Sequence, residues 1–597
     1  MKRLSRYNPT LSGLPTLTGC RASDLSGCEA ADSISFLQTL LLFPVFFSLF
    51  SLVSCKDYLE PEIITALTVR QVTEQYSYSR GRVASIYSDL QSGFTNIDGA
   101  MMANASDEAE FTLETSSVHN FNRGSWNQFS NPDDVWSAYY RNIQKINQFL
   151  VSCDNIDLDM YPDESVYETY LAEIERWKFE VRLIRAYHYF ELVKRFGGVP
   201  LIKDVTGLDD DFNSVPRNPL NECIQYIVDE CDAASEGLPP TYIAADLGRV
   251  TSVAALALKS RVLLYTASEL FNNTDWTGGY AHPELISLTG DRQARWQTAA
   301  NAAKAAIDLA EANGCALGTN YGDLFGPNTH TNSEVIFCRR NAASNTFETT
   351  NVSVGFDRGN SGTAPSQNLV DAYEMSDGNG FSWNNPAHAA DPYENRDPRL
   401  AMTIVANNSA FKGRTVECWE GGRDGLPIVR ASKTGYYLKK YIDENLNLVT
   451  GQTSAHSWVI FRLAELYLNY AEALNEVDAG NSDIKIYVDK VRQRVGINMP
   501  VLPAGLNQSQ MRERIYRERR VELAFEDHRF WDVRRWMTAS PALSAPLKGV
   551  KITRTNDMFN YNIIDVEQRV FLPKMYLYPI PQNEIYVAKG LIQNPLW

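Results

Sequence analysis

The chain is short of histidine and of positive charge: 7 histidines among 597 residues, and 56 Lys and Arg against 72 Asp and Glu, for a net charge of -16. That balance leaves no basic stripe from which a nucleic acid would release counterions, so no nucleic-acid partner is expected. Beyond Cys55 the cysteines are Cys153, Cys223, Cys231, Cys315, Cys338 and Cys418, with no C-x-x-C pair and no Cys/His ligand spacing, so no metal is expected either. Those six thiols could form disulfides in an exported chain, although a domain of this size has no need of them, and buried free cysteines are the alternative. No G-x-S-x-G, H-E-x-x-H or phosphate loop occurs, and the reading is of a non-catalytic chain without a cofactor.

Long apolar runs are also missing, with one exception. Ile34 to Val53 is apolar, ends in Leu52-Val53-Ser54-Cys55, and gives way to the polar Lys56-Asp57-Tyr58. An apolar stretch closed by a small residue before cysteine is the pattern of a leader cut at a lipobox, with Cys55 then acylated and holding the new N-terminus in a bilayer. A membrane-spanning helix would need about 20 such residues. Pro44, Gln38 and the abrupt Cys55 boundary favour the leader. Lys2, Arg3 and Arg6 lie far upstream of the run, so either translation starts further along or residues 1–54 are an unusually long leader.

What is abundant is helical periodicity, in pairs, whereas strand-like alternation is sparse. Trp177 to Phe196 carries Phe179, Leu183, Ala186, Phe190 and Val193 on one face, and Gly197-Gly198-Val199-Pro200 stops it. A second pair runs over Ser252 to Leu270 and Asp291 to Ala312, where Ala299, Ala300, Ala303, Ala306 and Ala310 let neighbouring helices approach. A third runs over Phe461 to Val477 and Ile484 to Val495, and a charged helix, Gln508 to Phe525, follows. No strict repeat period accompanies these pairs. Between Asn313 and Trp458 the chain is loop-rich, a length of irregular segment that is usually functional. The fold expected is mainly α: a tetratricopeptide-like scaffold of helical hairpins with long irregular loop insertions.

Several separated motifs give this chain a family resemblance. They are Cys55-Lys56-Asp57-Tyr58-Leu59, FEVRLIRAYHYFELVKRFGGVPL from Phe179, PSQNLVDAYEMSDG from Pro365 and YENRDPRL from Tyr393. Further on come FRLAELYLNYAEALNE from Phe461, RERRVELAFEDHRFWDVRRW from Arg517 and YLYPIPQNEIYVAKGLIQNPLW from Tyr576. In this order the chain resembles the SusD/RagB outer-membrane lipoproteins over nearly its whole mature length. The resemblance implies a lipid anchor at Cys55, display at the cell surface, an oligosaccharide ligand, and a SusC-like TonB-dependent transporter over which the protein sits as a lid. It divides the chain into residues 1–54 as leader, 55–250 as an N-terminal helical region, and 251–597 as a C-terminal region with the insertion at about 313–458, packed as one compact unit. A RagB-like peptide binder and a helical adaptor that binds only protein are the alternatives.

The charged run Arg517, Glu518, Arg519, Arg520, Glu522, Glu526, Asp527, His528 and Arg529 reads as an ion-pair network along a helix. Arg182, Arg185, Tyr187, His188 and Tyr189 read as packing between helices. Asp107-Glu108, Asp154/Asp157/Asp159 and Asp209-Asp210-Asp211 are paired carboxylates of the kind a glycosidase uses, but hydrolysis needs two of them facing across a sugar. A saccharide binder needs aromatic faces beside amides, carboxylates or guanidinium groups. Trp126 with Arg123, Asn127 and Asp107, and Trp276 with Tyr280 and Asn273, meet that description in polar loops, and Phe347, Trp383 and Trp419 follow later. Trp136, Tyr139 and Tyr140 have helical spacing and belong to the core.

Overall fold

The computed structural model describes residues 68–597 except 160, 162, 208, 244 and 245. The apolar run and Cys55 lie outside the described residues. Val69–Trp597 is one compact unit, and among its described residues no helix is long and apolar enough to cross a membrane.

Its frame is a row of helices, each packed on the next. After α1 (Tyr76–Ser88) come α2 (Trp136–Ser152), α3 (Glu164–Phe196), α4 (Leu220–Gly237), α5 (Ser252–Ala267) and α6 (Arg292–Ala312), then, beyond the insertion, α7 (Leu463–Val477), α8 (Ser482–Arg492) and α9 (Gln508–Glu522). Contacts run α2 to α3, α3 to α4, α4 to α5, α5 to α6, α6 to α7, and from α7 to both α8 and α9. The alanine ladder of α6 is buried throughout, which is what lets α5 and α7 both lie against it.

The helix ends follow from capping side chains. Asp163, Thr251, Asp291 and Asn481 each accept a backbone N–H at the start of α3, α5, α6 and α8, and Asn507 and Gln510 form a reciprocal capping box at α9. At the end of α3, Gly197 has φ 76° and donates to the Val193 carbonyl at 2.9 Å. A Cβ there would meet the Leu285 carbonyl oxygen at 2.5 Å, so only glycine fits. The helix begins at Glu164, well before the apolar stripe, because its first turns (ESVYETYLAEIER) are largely polar and solvent-facing.

Two sequence expectations are corrected here. Phe461 and Arg462 are not helical: they end β4 (Ser457–Arg462), which pairs antiparallel with β2 (Val335–Arg340) and is buried on both faces. A short run buried on both sides loses the period-2 signal that marks a strand. Elsewhere, the short strands β1 (Ala109–Phe111) and β3 (Thr363–Pro365) pair with each other, and the hairpin β5 (Leu547–Thr555) and β6 (Met558–Glu567) turns through Asn556 and Asp557, both at positive φ.

The second correction concerns Trp126, which is only 2% exposed and wedged against Phe121, Tyr578 and Trp597 at ring-centroid distances of 5.0, 5.1 and 4.8 Å. Its ring offers no face to a ligand, because the C-terminal segment, distant in sequence, covers it. Asp107 is likewise internal, its oxygens held by Arg520 at 2.8 Å and Arg529 at 2.8 and 2.9 Å.

The charged run around α9 is a network, but it pairs across elements more than along its helix. Glu522 receives Arg462 at 2.7 Å, Arg494 at 2.6 Å and Arg399 at 2.8 Å. Glu518 receives Arg399 at 2.6 Å and Arg492 at 2.9 Å, Glu334 receives Arg462 and Arg494, and Glu526 receives Arg462 and Lys440. Burial pushes the Glu522 carboxyl up, and its arginines more than reverse this, holding it well below the usual range. Burial pulls Lys440 down to about 8 against the opposing pull of Glu526. His188 is a fully buried core residue beside Tyr139, drawn down to about 4 by desolvation. The six described cysteines are free, all buried except the half-buried Cys315.

Glu522→Gln keeps the shape and removes the charge, leaving buried guanidinium groups uncompensated. It is expected to lower the unfolding free energy by about 3–5 kcal/mol in urea titrations, and a loss under about 1 kcal/mol would show that the network is not a stability determinant. Because the folded-state pKa of Glu522 lies below its unfolded value, this contribution is present at neutral pH and is lost as pH falls below the ordinary carboxylate range. Trp126→Ala is expected to destabilise by about 3–5 kcal/mol, with saccharide affinity of the folded fraction unchanged; a stable variant that has lost ligand would restore Trp126 to the binding surface.

Candidate functional site

The insertion and the β5–β6 hairpin enclose a cleft of about 890 Å³. One wall is the YENRDPRL segment, the other is Phe559, Asn560 and Tyr561 of β6, and Asn407, Asn408 and Lys439 lie at its edge. The alternation of β6 sets Phe559 and Tyr561 on the same face of the ribbon. Both rings, and that of Tyr393, are half-buried, each with part of a surface open.

The wall is held from behind. Arg396 is buried and donates to the carbonyls of Pro392, Val370 and Tyr373 at 2.7, 2.6 and 2.8 Å, fixing the loop that carries Tyr393, Glu394 and Asn395. Next to it Asp397 takes Arg399 at 2.7 Å, and Arg399 continues to Glu518 and Glu522. The cleft wall is thus an extension of the buried ion network. Tyr393 meets Tyr561 edge-on at 5.7 Å and Tyr436 at 6.0 Å, and its hydroxyl lies 3.2 Å from that of Tyr436. Burial pushes the Tyr393 phenol far above its ordinary range, so it stays a neutral hydrogen-bonding group. Asn395 and Asn408 sit in the left-handed region, which asparagine tolerates, and their side chains are exposed at the rim with Glu394 and Asp391.

Aromatic surface continues beside the cleft. Trp419 lies 5.4 Å from Phe559, with the Arg554 guanidinium 5.0 Å over its ring. Phe381 stacks on His388 at 5.5 Å and meets Trp383 edge-on at 5.1 Å, while the Trp383 indole donates to Asp371. Phe347 is buried. The arrangement suits a ligand with alternating apolar C–H faces and hydroxyl edges: rings for the first, exposed carboxylates, amides and one lysine for the second.

The residues singled out in the sequence do not converge on this cleft. Trp276 is half-buried, 5.6 Å from Tyr576, with its indole N–H given to the Asn273 carbonyl at 3.1 Å. Tyr280 donates to the Gln593 carbonyl at 2.7 Å, and Asn273 bonds Glu269 and the Asp275 amide. These groups fasten the chain's C-terminal segment and their own turn. Arg123 is exposed, 3.8 Å from Glu114, and the side-chain Oδ1 of Asn127 accepts from the Phe129 amide. Phe559 and Tyr561 lie on a hairpin that helical periodicity does not mark, and the Y-x-N-R-D-P pattern around Tyr393 is the signal the sequence offers for this wall.

Asp107 and Glu108 have divergent proton affinities. Burial raises both, but Arg520 and Arg529 bring Asp107 far below its ordinary value, while Glu108 rises to about 8. Both are buried and neither lines the cleft, so no sugar sits between them. Among the described residues no group of three or more His, Cys, Asp or Glu is placed to hold a metal.

Residues 328–597 match the SusD family, and residues 59–264 match the family described as starch-binding associating with outer membrane. A SusD-like protein of Formosa agariphila is 25% identical over 92% of this chain and 97% of its own length. Among solved structures, a SusD-like protein from Bacteroides fragilis is 28% identical with a TM-score of 0.74, covering 89% of this chain and 99% of that one. A SusD-like carbohydrate binding protein from the same organism is 25% identical with a TM-score of 0.72, covering 87% and 99%. The mainly α architecture is the one these structures share, and the chain belongs to the SusD/RagB family.

Proposed function

We propose that this protein is a cell-surface lipoprotein that captures an oligosaccharide and passes it, chemically unchanged, to a SusC-like TonB-dependent transporter in the outer membrane. The observation that carries the reading is the open cleft between Tyr393 and the Phe559/Tyr561 face, rimmed by exposed Asp391, Glu394, Asn395 and Asn408. A purely protein-binding adaptor would have its loop aromatics under helices with no aromatic cleft left open. The carbohydrate-binding relative of the same fold supports the same class of ligand. The lipid anchor at Cys55, the transporter and the outer-membrane address rest on the family resemblance. On this reading the Trp276, Tyr280 and Asn273 turn, with Arg123 and Asn127, belongs to the periphery, where partly exposed faces would touch a long chain.

A glycan array with the mature protein is expected to give saturable binding to at least one oligosaccharide, and a blank broad array would sink the sugar reading. For the best ligand, Phe559→Ala/Tyr561→Ala should weaken binding at least tenfold by isothermal titration, about 1.4 kcal/mol, with little change in Tm because both rings are only half-buried. Unchanged affinity would move the site elsewhere on the surface.

A further inference from the structure

A second groove, of about 440 Å³, lies between α1, the 246–249 turn and β2, and none of its lining residues is shared with the cleft. In a chain of net charge -16, its walls carry Arg80, Arg249, Arg339 and Arg340 against one lining carboxylate, Asp246. Arg249 is fully engaged, by Asp246 at 3.1 Å, Glu173 at 2.8 Å and Glu180 at 3.0 Å. The other three are not. Arg80 is 58% exposed and only reaches Glu173 at 4.0 Å, a carboxylate already taken by Arg249. Arg339 bonds neutral acceptors alone: the carbonyls of Ser88 and Leu90 and the side chain of Asn341. Arg340 is exposed and, among the described residues, has no carboxylate or hydrogen-bond acceptor in contact.

Two unspent guanidinium groups facing one groove are poorly explained as scaffold. Like charges brought together without counter-charge raise the free energy of the folded state, and an exposed ion pair would have been an easy remedy. Arg340 lies along the turn: Gly248 has φ 99°, a conformation that favours glycine, and its Cα side faces the Arg340 Cδ, 3.3 Å from where a Cβ would stand. Between the cations the walls are apolar, with Val83, Leu90 and the 40% exposed Leu247. Cations that bind oxyanions in a forked geometry, beside a small apolar wall, describe a site for a ring carrying an acidic group.

We propose that this groove is a separate saccharide subsite selective for an acidic sugar unit, one bearing a carboxylate or a sulfate ester, with the anion on Arg80 and Arg340 and the ring against Leu247. The assignment rests on the saccharide-binding reading above and names the class of glycan that reading leaves open.

The test is isothermal titration of the mature protein with tetragalacturonate, a sulfated carrageenan tetrasaccharide, their neutral counterparts (galactotetraose and the desulfated tetrasaccharide), and hexaglutamate. The variants are Arg80→Gln/Arg340→Gln in the groove and Phe559→Ala/Tyr561→Ala in the cleft. At about 50 mM salt, where screening is weak, at least one acidic oligosaccharide should bind tenfold or more tightly than its neutral counterpart. That preference should vanish in the arginine variant, survive in the cleft variant, and shrink as salt rises. Equal binding of acidic and neutral sugars, or a preference that persists without Arg80 and Arg340, overturns the proposal while leaving the cleft's function intact. Hexaglutamate binding as tightly, with the same arginine dependence, also overturns it by making the groove a site for acidic polypeptide. Acidic saccharides that fail to bind at all overturn the groove's assignment, while the cleft reading falls only with a blank broad array.

Discussion

A closed lattice of buried guanidinium and carboxylate groups around Glu522 is the constraint on which the molecule's arrangement rests. Its members come from six places distant in sequence: Glu334 at the start of β2, Arg399 in the insertion, Lys440 further along it, Arg462 at the end of β4, Arg494 after α8, and Glu518, Glu522 and Glu526 on and after α9. Each charge taken singly into the interior would cost several kcal/mol, and only a partner in hydrogen-bonding geometry offsets that. The lattice is satisfied when all six segments are in place and in no partial assembly. An apolar core would tolerate sliding of the long insertion against the helices; forked Arg–carboxylate pairs do not.

This has a direct bearing on ligand capture. The loop that forms one wall of the cleft, with Tyr393 and Asn395, is anchored two residues later through Asp397 and Arg399 into the lattice, and Arg396 caps three backbone carbonyls beneath it. A site so supported is formed before ligand arrives, and preorganisation lowers the ordering cost that binding would otherwise bear. The opposite wall, a two-stranded ribbon with an exposed tip at Met558, is less constrained. The asymmetry of one fixed wall and one ribbon suits polymeric ligands whose units vary in substitution.

Much of the frame was legible because it is written locally. The α3 stripe and its Gly197 stop, the alanine ladder of α6 and the paired helices at the C-terminal end are patterns within about 20 residues, the scale on which periodicity and capping operate. The charged segment from Arg517 was legible as a network but not in its wiring, since a helix's own sequence shows its i to i+4 partners and not Arg399 or Arg462. The binding surface was hardest. Trp126 has polar neighbours on both sides in sequence, yet Tyr578 and Trp597 close over it; Tyr561, between Asn560 and Asn562, has polar neighbours too and stays partly open. Whether a loop aromatic is covered is decided by segments hundreds of residues away.

Family membership supplies the fold, and the described residues supply a cleft with rings and rim groups in place. The most direct measurement is hydrogen–deuterium exchange of the mature protein with and without a saturating oligosaccharide. Slowed exchange confined to the segments at 391–410 and 558–561, with α5 to α9 unchanged, is the predicted outcome for a preformed cleft on a rigid frame. Protection at the Trp276–Tyr280 turn with none at 391–410 and 558–561, or spread through the helices, would contradict it.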